Sequence, residues 1–259
     1  MNAAAPHIVI ERLHRVLRVE IRRPEKKNAL TAAMYGRLAE VFQEAAGDED
    51  IRVLLLHGQP GAFTAGNDLG EFLNDPPADE DAAVFRFLAA LRDFPKPFLA
   101  AVTGVAVGIG TTMLLHCDMV YAGEGARFQL PFVGLGLCPE AASSLLLPAL
   151  VGRARAAEII LLGEPFGAEQ AREIGLVNRV LPDADTIDHA LAQARRLAQQ
   201  PPAAVRLAKQ LLNRSQAALV AETMAEEDRQ FKARLASPEA KEACAAFLAK
   251  RKPDFSRFS

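Results

Sequence analysis

The period of the hydrophobic pattern changes along the chain, and each change marks an element. Residues 7–11 and 15–21 alternate apolar and polar positions, which predicts a hairpin or two edge strands. Behind Thr31, which can cap a helix, Met34, Leu38, Val41, Phe42 and Ala45 fall on one face at helical spacing, and Gly47 ends the segment. Residues 53–56 are apolar without interruption, the pattern of a strand covered on both faces. Residues 98–102 and 119–122 read the same way. A helix is expected around 81–94, stopped by Pro95 and Pro97, and an apolar helix over 108–115 follows a glycine-rich turn.

After Arg153 helical patterns dominate: 153–162, 168–174, 184–200, 203–235 and a last segment behind Pro238, with 177–181 the one late strand candidate. Strands interleaved with helices, then a run of helices, predict an α/β core over residues 1–200 with a C-terminal α-helical region over 201–259. The late apolar positions Leu207, Leu211, Leu212, Phe231, Leu235 and Phe247 exceed what a small helical tail buries alone, so an oligomer is expected.

Composition narrows the function. A chain of 259 residues buries about 70–75% of its unfolded surface and needs no metal or disulfide staple. A net charge of −2, no Trp and only 2 Tyr argue against nucleic acid or an anionic membrane as partner. Cys117, Cys138 and Cys244 have no metal-ligand spacing and suit a reducing compartment. Residues 1–5 are too short and polar for a signal peptide, no apolar run approaches a membrane span, and the final Arg257-Phe258-Ser259 is not a peroxisomal address. A cytoplasmic location is the expectation. G-x-G-x-x-G after a strand, Walker A, G-x-S-x-G and H-E-x-x-H are all missing, so neither a dinucleotide cofactor nor a metal is expected. His57 and His116 read as packed or surface residues, and Ser143 and Ser144 as helix-start residues that satisfy backbone groups.

Two segments offer chemistry. Ala62-Phe63-Thr64-Ala65-Gly66-Asn67-Asp68-Leu69 follows the buried strand 53–56; residues 101–112 carry a second turn with Gly104, Gly108 and Gly110. Each runs from strand through a glycine-bearing turn to an apparent helix start, where backbone amides lack intrahelical partners. Taken singly, both suit ordinary turns; aimed at one point, they would form an oxyanion site from main chain alone. The stretches RPEKKNAL, FTAGNDL, AVTGVAVGIG, CDMVYAGEGARFQLPFVGLG and AREIGLVNRV, in that order and spread over nearly the whole chain, resemble the crotonase superfamily of enoyl-CoA hydratases and isomerases. That resemblance implies a spiral of β-β-α units, a trimer or a hexamer, and an acyl-CoA substrate with no separate cofactor.

Carried over residue by residue, the resemblance assigns the oxyanion amides to Asn67 and Ile109. Ala65, Gly66, Asp68 and Leu69, with Gly108 and Gly110, would line the thioester and coenzyme A. Ala29 and Leu30 would lie along the nucleotide end, and Lys26 and Lys27 either reach phosphates or form a solvated charge cluster. Asp68 reads as a loop anchor rather than a catalyst. The two water-activating glutamates of hydratases fall on Thr112 and Phe132, neither a carboxylate, which argues against efficient hydration. Instead Leu137-Cys138-Pro139-Glu140-Ala141-Ala142-Ser143-Ser144 resembles the Pro-Glu segment of the Δ3,Δ2-enoyl-CoA isomerase branch, implying Glu140 as the sole acid/base. By position Glu140 also suits the first turn of a helix, and its acidity is open, since apolar neighbours raise it and a helix N-terminus lowers it. Other reactions of the superfamily, thioester hydrolysis among them, and a non-catalytic acyl-CoA binder use the same pocket. The stretch 72–94 is expected to help shape the acyl site as a partly mobile lid.

Overall fold

The computed structural model describes residues 6–74, 77 and 81–258. β1 (Ile8–Leu13) and β2 (Val16–Ile21) form the expected hairpin, turning at His14. Only β1 is an edge; β2 also pairs in parallel with β3 (Val53–His57) and is buried along nearly its whole length. α1 (Ala32–Gly47) begins where the pattern placed it, with the Thr31 hydroxyl accepting from the Met34 amide at 3.3 Å. Then come β4 (Ala62–Thr64), α2 (Leu69–Asn74), α3 (Ala83–Arg92), β5 (Phe98–Val102), β6 (Val105–Val107), α4 (Ile109–Thr112), β7 (Met119–Gly123) and β8 (Arg127–Gln129). The rest is α5 (Ser143–Val151), α6 (Arg153–Leu162), β9 (Phe166–Gly167), α7 (Ala168–Glu173), β10 (Arg179–Leu181), α8 (Asp183–Ala198), α9 (Pro202–Asn213), α10 (Ala217–Leu235) and α11 (Pro238–Leu248).

From β3 to β8 successive strands are dealt alternately into two sheets. The larger has the order β1-β2-β3-β5-β7-β10, parallel from β2 onward, and the smaller the order β4-β6-β8-β9. β3, β5 and β7 therefore each feed a short strand of the smaller sheet, which is the spiral of repeated β-β-α turns. Side chains alternate between the faces of the larger sheet. Leu54, Leu56, Phe98 and Ala100 enter the main core, whereas Val53, Leu55, Leu99 and Ala101 pack under Ala190, Leu191 and Ala194 of α8. Burial on both faces explains the unbroken apolar runs. On the core side α1 lies against α3 through Phe42, whose ring meets Phe87 and Phe98 edge-on at 5.8 and 5.1 Å.

Several expectations need correction. The segment 203–235 is two helices, α9 and α10, divided at residues 214–216. The helix expected over 108–115 is a short α4 continued by a 3-10 turn, Met113–His116. Strands β4, β6, β8 and β9 are not among the expected elements, because such short strands carry too few residues for a period to show. Helices α2 and α5 begin where the segment 62–69 and Ser143 suggest a helix start. Of the stretch 72–94, residues 75–76 and 78–80 lie outside the described residues, as do residues 1–5.

Candidate active site

The two turns expected to converge do so, because β4 and β6 are neighbouring parallel strands and each leads directly into one of them. Close approach of their backbones selects glycine. Gly66 adopts φ +87, and a Cβ there would lie 2.8 Å from the Val107 carbonyl oxygen; a Cβ on Gly110 would lie 2.7 Å from Thr64 Cγ2. On the far side of the first turn, Leu30 donates to the Gly66 carbonyl at 2.8 Å and accepts from the Asp68 amide at 2.9 Å. In that parallel bridge the amide of the residue between, Asn67, turns away from Leu30. Neither the Asn67 amide nor the Ile109 amide has an acceptor among the described residues. Two unsatisfied donors on adjoining turns, one opening α4, can receive a developing oxyanion.

The surroundings hold these turns by polar contacts invisible in the pattern. Asn28, buried and left-handed at φ 59, donates through Nδ2 to the Ala62 carbonyl at 2.8 Å, and its own carbonyl accepts from the Thr64 hydroxyl at 2.7 Å. Tyr35 donates its phenol to Asn67 Oδ1, orienting that residue from α1. Asp68 acts as the anchor expected: it pairs with Arg23 at 2.8 Å and accepts from the Gly70 amide at 3.2 Å, and these partners hold its carboxyl below the usual range although burial opposes them. Ala29 and Leu30 lie against this segment, Lys26 stands exposed in the preceding 3-10 turn, and Ala65 and Leu69 are half-buried.

Glu140 stands on a different kind of support. It is not in the first turn of a helix as expected; α5 starts at Ser143, and Ala141 and Ala142 between them are both left-handed, with φ 58 and 55. Its carboxyl is buried, and Oε1 has no hydrogen-bond partner among the described residues, as is also true of Thr112 Oγ1 and Ser143 Oγ. The acidity left open by the sequence resolves upward: burial, then the charges of Glu227 and Asp228, push Glu140 up to about 8. Tyr35 feels the Glu140 charge, and burial together with that charge raises its phenol well above the ordinary value. The α4 side meets this loop where the His116 imidazole bonds the Ala141 carbonyl at 2.8 Å. Burial lowers the His116 pKa, so the ring is neutral and packed. Thr112 lies one helical turn from Ile109 on α4, and Phe132 is buried.

Sequence reasoning missed Tyr35 and Glu227. Tyr35 had a signal, since it neighbours the core position Met34 at the start of an amphipathic helix. Glu227 had none, standing between Glu226 and Asp228 in a charged stretch. The serines also differ from expectation: they cap nothing, and the carboxylate of Glu227 accepts from the Ala142 and Ser144 amides in their place.

Known proteins identify this architecture. The sequence profile of the family described as enoyl-CoA hydratase/isomerase matches residues 11–257, and the chain belongs to that family, within the crotonase superfamily. It is 37% identical to the 2,3-dehydroadipyl-CoA hydratase of Escherichia coli (strain K12), covering 96% of this chain and 98% of that one. With the 1,2-epoxyphenylacetyl-CoA isomerase of the same organism it shares 39% identity over 93% of this chain and 95% of the other. Among solved structures, OdaA of Pseudomonas aeruginosa superimposes with a TM-score of 0.92 at 48% identity, covering 94% of this chain and 99% of that one. The protein is accordingly a crotonase-fold acyl-CoA enzyme of the hydratase/isomerase family. Among the described residues, no helix is long and apolar enough to cross a membrane.

Proposed function

We propose that the chain is a Δ3,Δ2-enoyl-CoA isomerase in which Glu140 is the only acid/base. The observation that carries this reading is the buried Glu140 carboxyl, with one oxygen unpartnered and its pKa raised to about 8, on a loop that His116 joins to the 3-10 turn continuing the helix that starts at Ile109. Glu140 takes a proton from C2 of a 3-enoyl-CoA as the C2–H electrons move into a dienolate. The negative charge gathers on the thioester oxygen, where the amides of Asn67 and Ile109 receive it, each contributing about 3–4 kcal/mol by analogy with other oxyanion donors. Glu140 then returns the proton at C4, giving the conjugated 2-enoyl-CoA. A raised pKa suits both half-reactions, since the group must accept and release a proton near neutral pH.

Relatives at this similarity include a hydratase, so hydration is the competing reading. Thr112 and Phe132 stand against it, because neither can activate water and the buried Phe132 ring displaces it. The substrate contacts proposed for Lys26, Ala29, Leu30, Ala65, Gly66, Asp68, Leu69, Gly108, Gly110 and Phe132 follow the same resemblance. So does assembly as a homotrimer or hexamer. Leu207, Leu211 and Leu212 of α9 are 54%, 57% and 80% exposed in the single chain, and Phe247 of α11 is 60% exposed; Phe231, by contrast, is buried within the chain. Sedimentation of the protein at micromolar concentration is expected to show a trimer or larger, and a monomer contradicts this.

The test offers the protein matched 3-enoyl-CoA and 2-enoyl-CoA substrates. Isomerisation of the first with negligible hydration of the second is expected. Hydration at ordinary enzyme rates would overturn the isomerase reading.

A further inference from the structure

We propose that Glu227 is a positioning residue for Glu140: from α10 it holds the backbone of the turn that presents the Glu140 carboxyl. This rests on the reading of Glu140 as the acid/base group. The turn is costly by itself. Ala141 and Ala142 are successive non-glycine residues in the left-handed region, and both are fully buried. Local contacts reach only carbonyls of this turn, with the Ser143 amide donating to the Glu140 carbonyl at 3.0 Å and the Leu145 and Leu146 amides to the Ala142 carbonyl at 3.0 and 2.8 Å. From farther along the chain, His116 bonds the Ala141 carbonyl at 2.8 Å. Ala142, at the N-cap of α5, has no side chain able to cap the helix.

Glu227 supplies what the turn lacks. One carboxylate oxygen accepts from the Ala142 amide at 2.6 Å and the other from the Ser144 amide at 2.9 Å, so a single side chain grips the chain on both sides of Ser143. The grip comes from more than 80 residues away, across separations of 85 and 83 positions. It therefore reports tertiary assembly rather than local turn chemistry. A carboxylate near a helix N-terminus is favoured electrostatically, yet this one is only 7% exposed, and leaving water is a cost that a surface cap does not bear.

The same placement gives Glu227 a second effect on Glu140, through charge. Glu140 is faced by Glu227 and Asp228 from α10, by the Tyr35 phenol from α1 and by the Cys138 thiol of its own segment. None of these is a cation. His116, on the Ala141 carbonyl, is neutral. Glu227 is thus both a mechanical support for the loop and a negative charge that keeps the Glu140 proton on. Asp228 is itself pushed up to about 6, first by burial and then by Glu227.

Reach and charge separate in three variants. In Glu227→Gln and Glu227→Ala, kcat for a 3-enoyl-CoA should fall about 10–100-fold, as expected when a reacting group shifts by an ångström or so, with KM within about 3-fold. The acid limb of the kcat/KM profile should also move to lower pH, because a negative charge beside Glu140 is gone. Glu227→Asp keeps the charge on a shorter arm. It should lower kcat while leaving the acid limb in place, and it serves for the geometry if the other variants do not fold. A support that only stabilises α5 would lower the melting temperature of all three and leave kcat and the acid limb of the folded protein unchanged; that result overturns the proposal. Glu140→Gln runs beside them. If it retains turnover, the acid/base reading falls and this proposal falls with it. An inactive Glu140→Gln with unaffected Glu227 variants removes this proposal alone.

Discussion

The two halves of the candidate site are built on opposite principles. The turns carrying Asn67 and Ile109 are continuations of paired strands, and their useful groups are backbone amides aimed by the ladder itself. The Glu140 turn belongs to no ladder; strained alanines, a histidine and a carboxylate from α10 hold a side chain in place. A donor built from main chain tolerates side-chain change, because the amide stays whatever side chain the residue carries. A reactive side chain on a strained turn tolerates little. Mutations should therefore divide along this line.

The largest effect is expected at the side-chain half. Glu140→Gln preserves size but cannot accept a proton, so isomerisation should fall about 10²–10⁴-fold in steady-state assays, with acyl-CoA affinity nearly unchanged. Next comes the backbone half, probed by two changes at one position. Ile109→Pro deletes the donor and should cost about 10²–10³ in rate, provided circular dichroism and CoA binding report an intact fold. Ile109→Ala keeps the donor, so the rate per folded molecule should stay near that of the parent. The fully buried side chain is lost, however, and denaturant titration should show a stability loss of about 2–5 kcal/mol. Similar rate losses in both Ile109 variants would erase the distinction between the halves.

Acidity gives a further separation, since only one half titrates. Glu140 works as a base when deprotonated, and its pKa is raised to about 8, so kcat/KM should climb with pH and level off above that value. Stability runs the other way. Between the ordinary carboxyl pKa and about 8 the folded chain holds a proton that the unfolded chain releases. This contribution is complete at low pH and is lost as pH rises through that window. Glu140→Gln should remove that slope from a series of melting curves. The smallest effect is expected where the halves touch. Tyr35→Phe strips the hydrogen bond to Asn67 Oδ1 and should cost about 0.5–1.5 kcal/mol, read by thermal unfolding, with a modest loss of rate.

Legibility in the sequence follows the same division. Thr31 to Gly47, the buried strands β3, β5 and β7, and the glycines at 66 and 110 announce themselves, because each has a local reason: a cap, an apolar run, a close backbone approach. The motif order brought Asn67, Ile109 and Glu140 forward as candidates. What the sequence could not reveal is non-local. Strands of two or three residues such as β9 and β4 exist only because a neighbour pairs with them. The break between α9 and α10 has no proline or glycine to mark it. Glu227 looks like any surface charge until the fold brings α10 against the turn before α5. The direction of the Glu140 shift likewise depended on burial and on two acids from another helix.

The most direct measurement of the central claim follows the C2 hydrogen alone. Wild-type protein and Glu140→Gln are incubated with a 3-enoyl-CoA in deuterium oxide, and label at C2 of the unreacted substrate is read by mass spectrometry or proton NMR, beside a melting curve for each protein. Glu140 as the sole base predicts deuterium uptake by the wild type and a loss of about 10²-fold or more in a variant that melts as a folded protein. Exchange at near wild-type rate in folded Glu140→Gln would contradict the account.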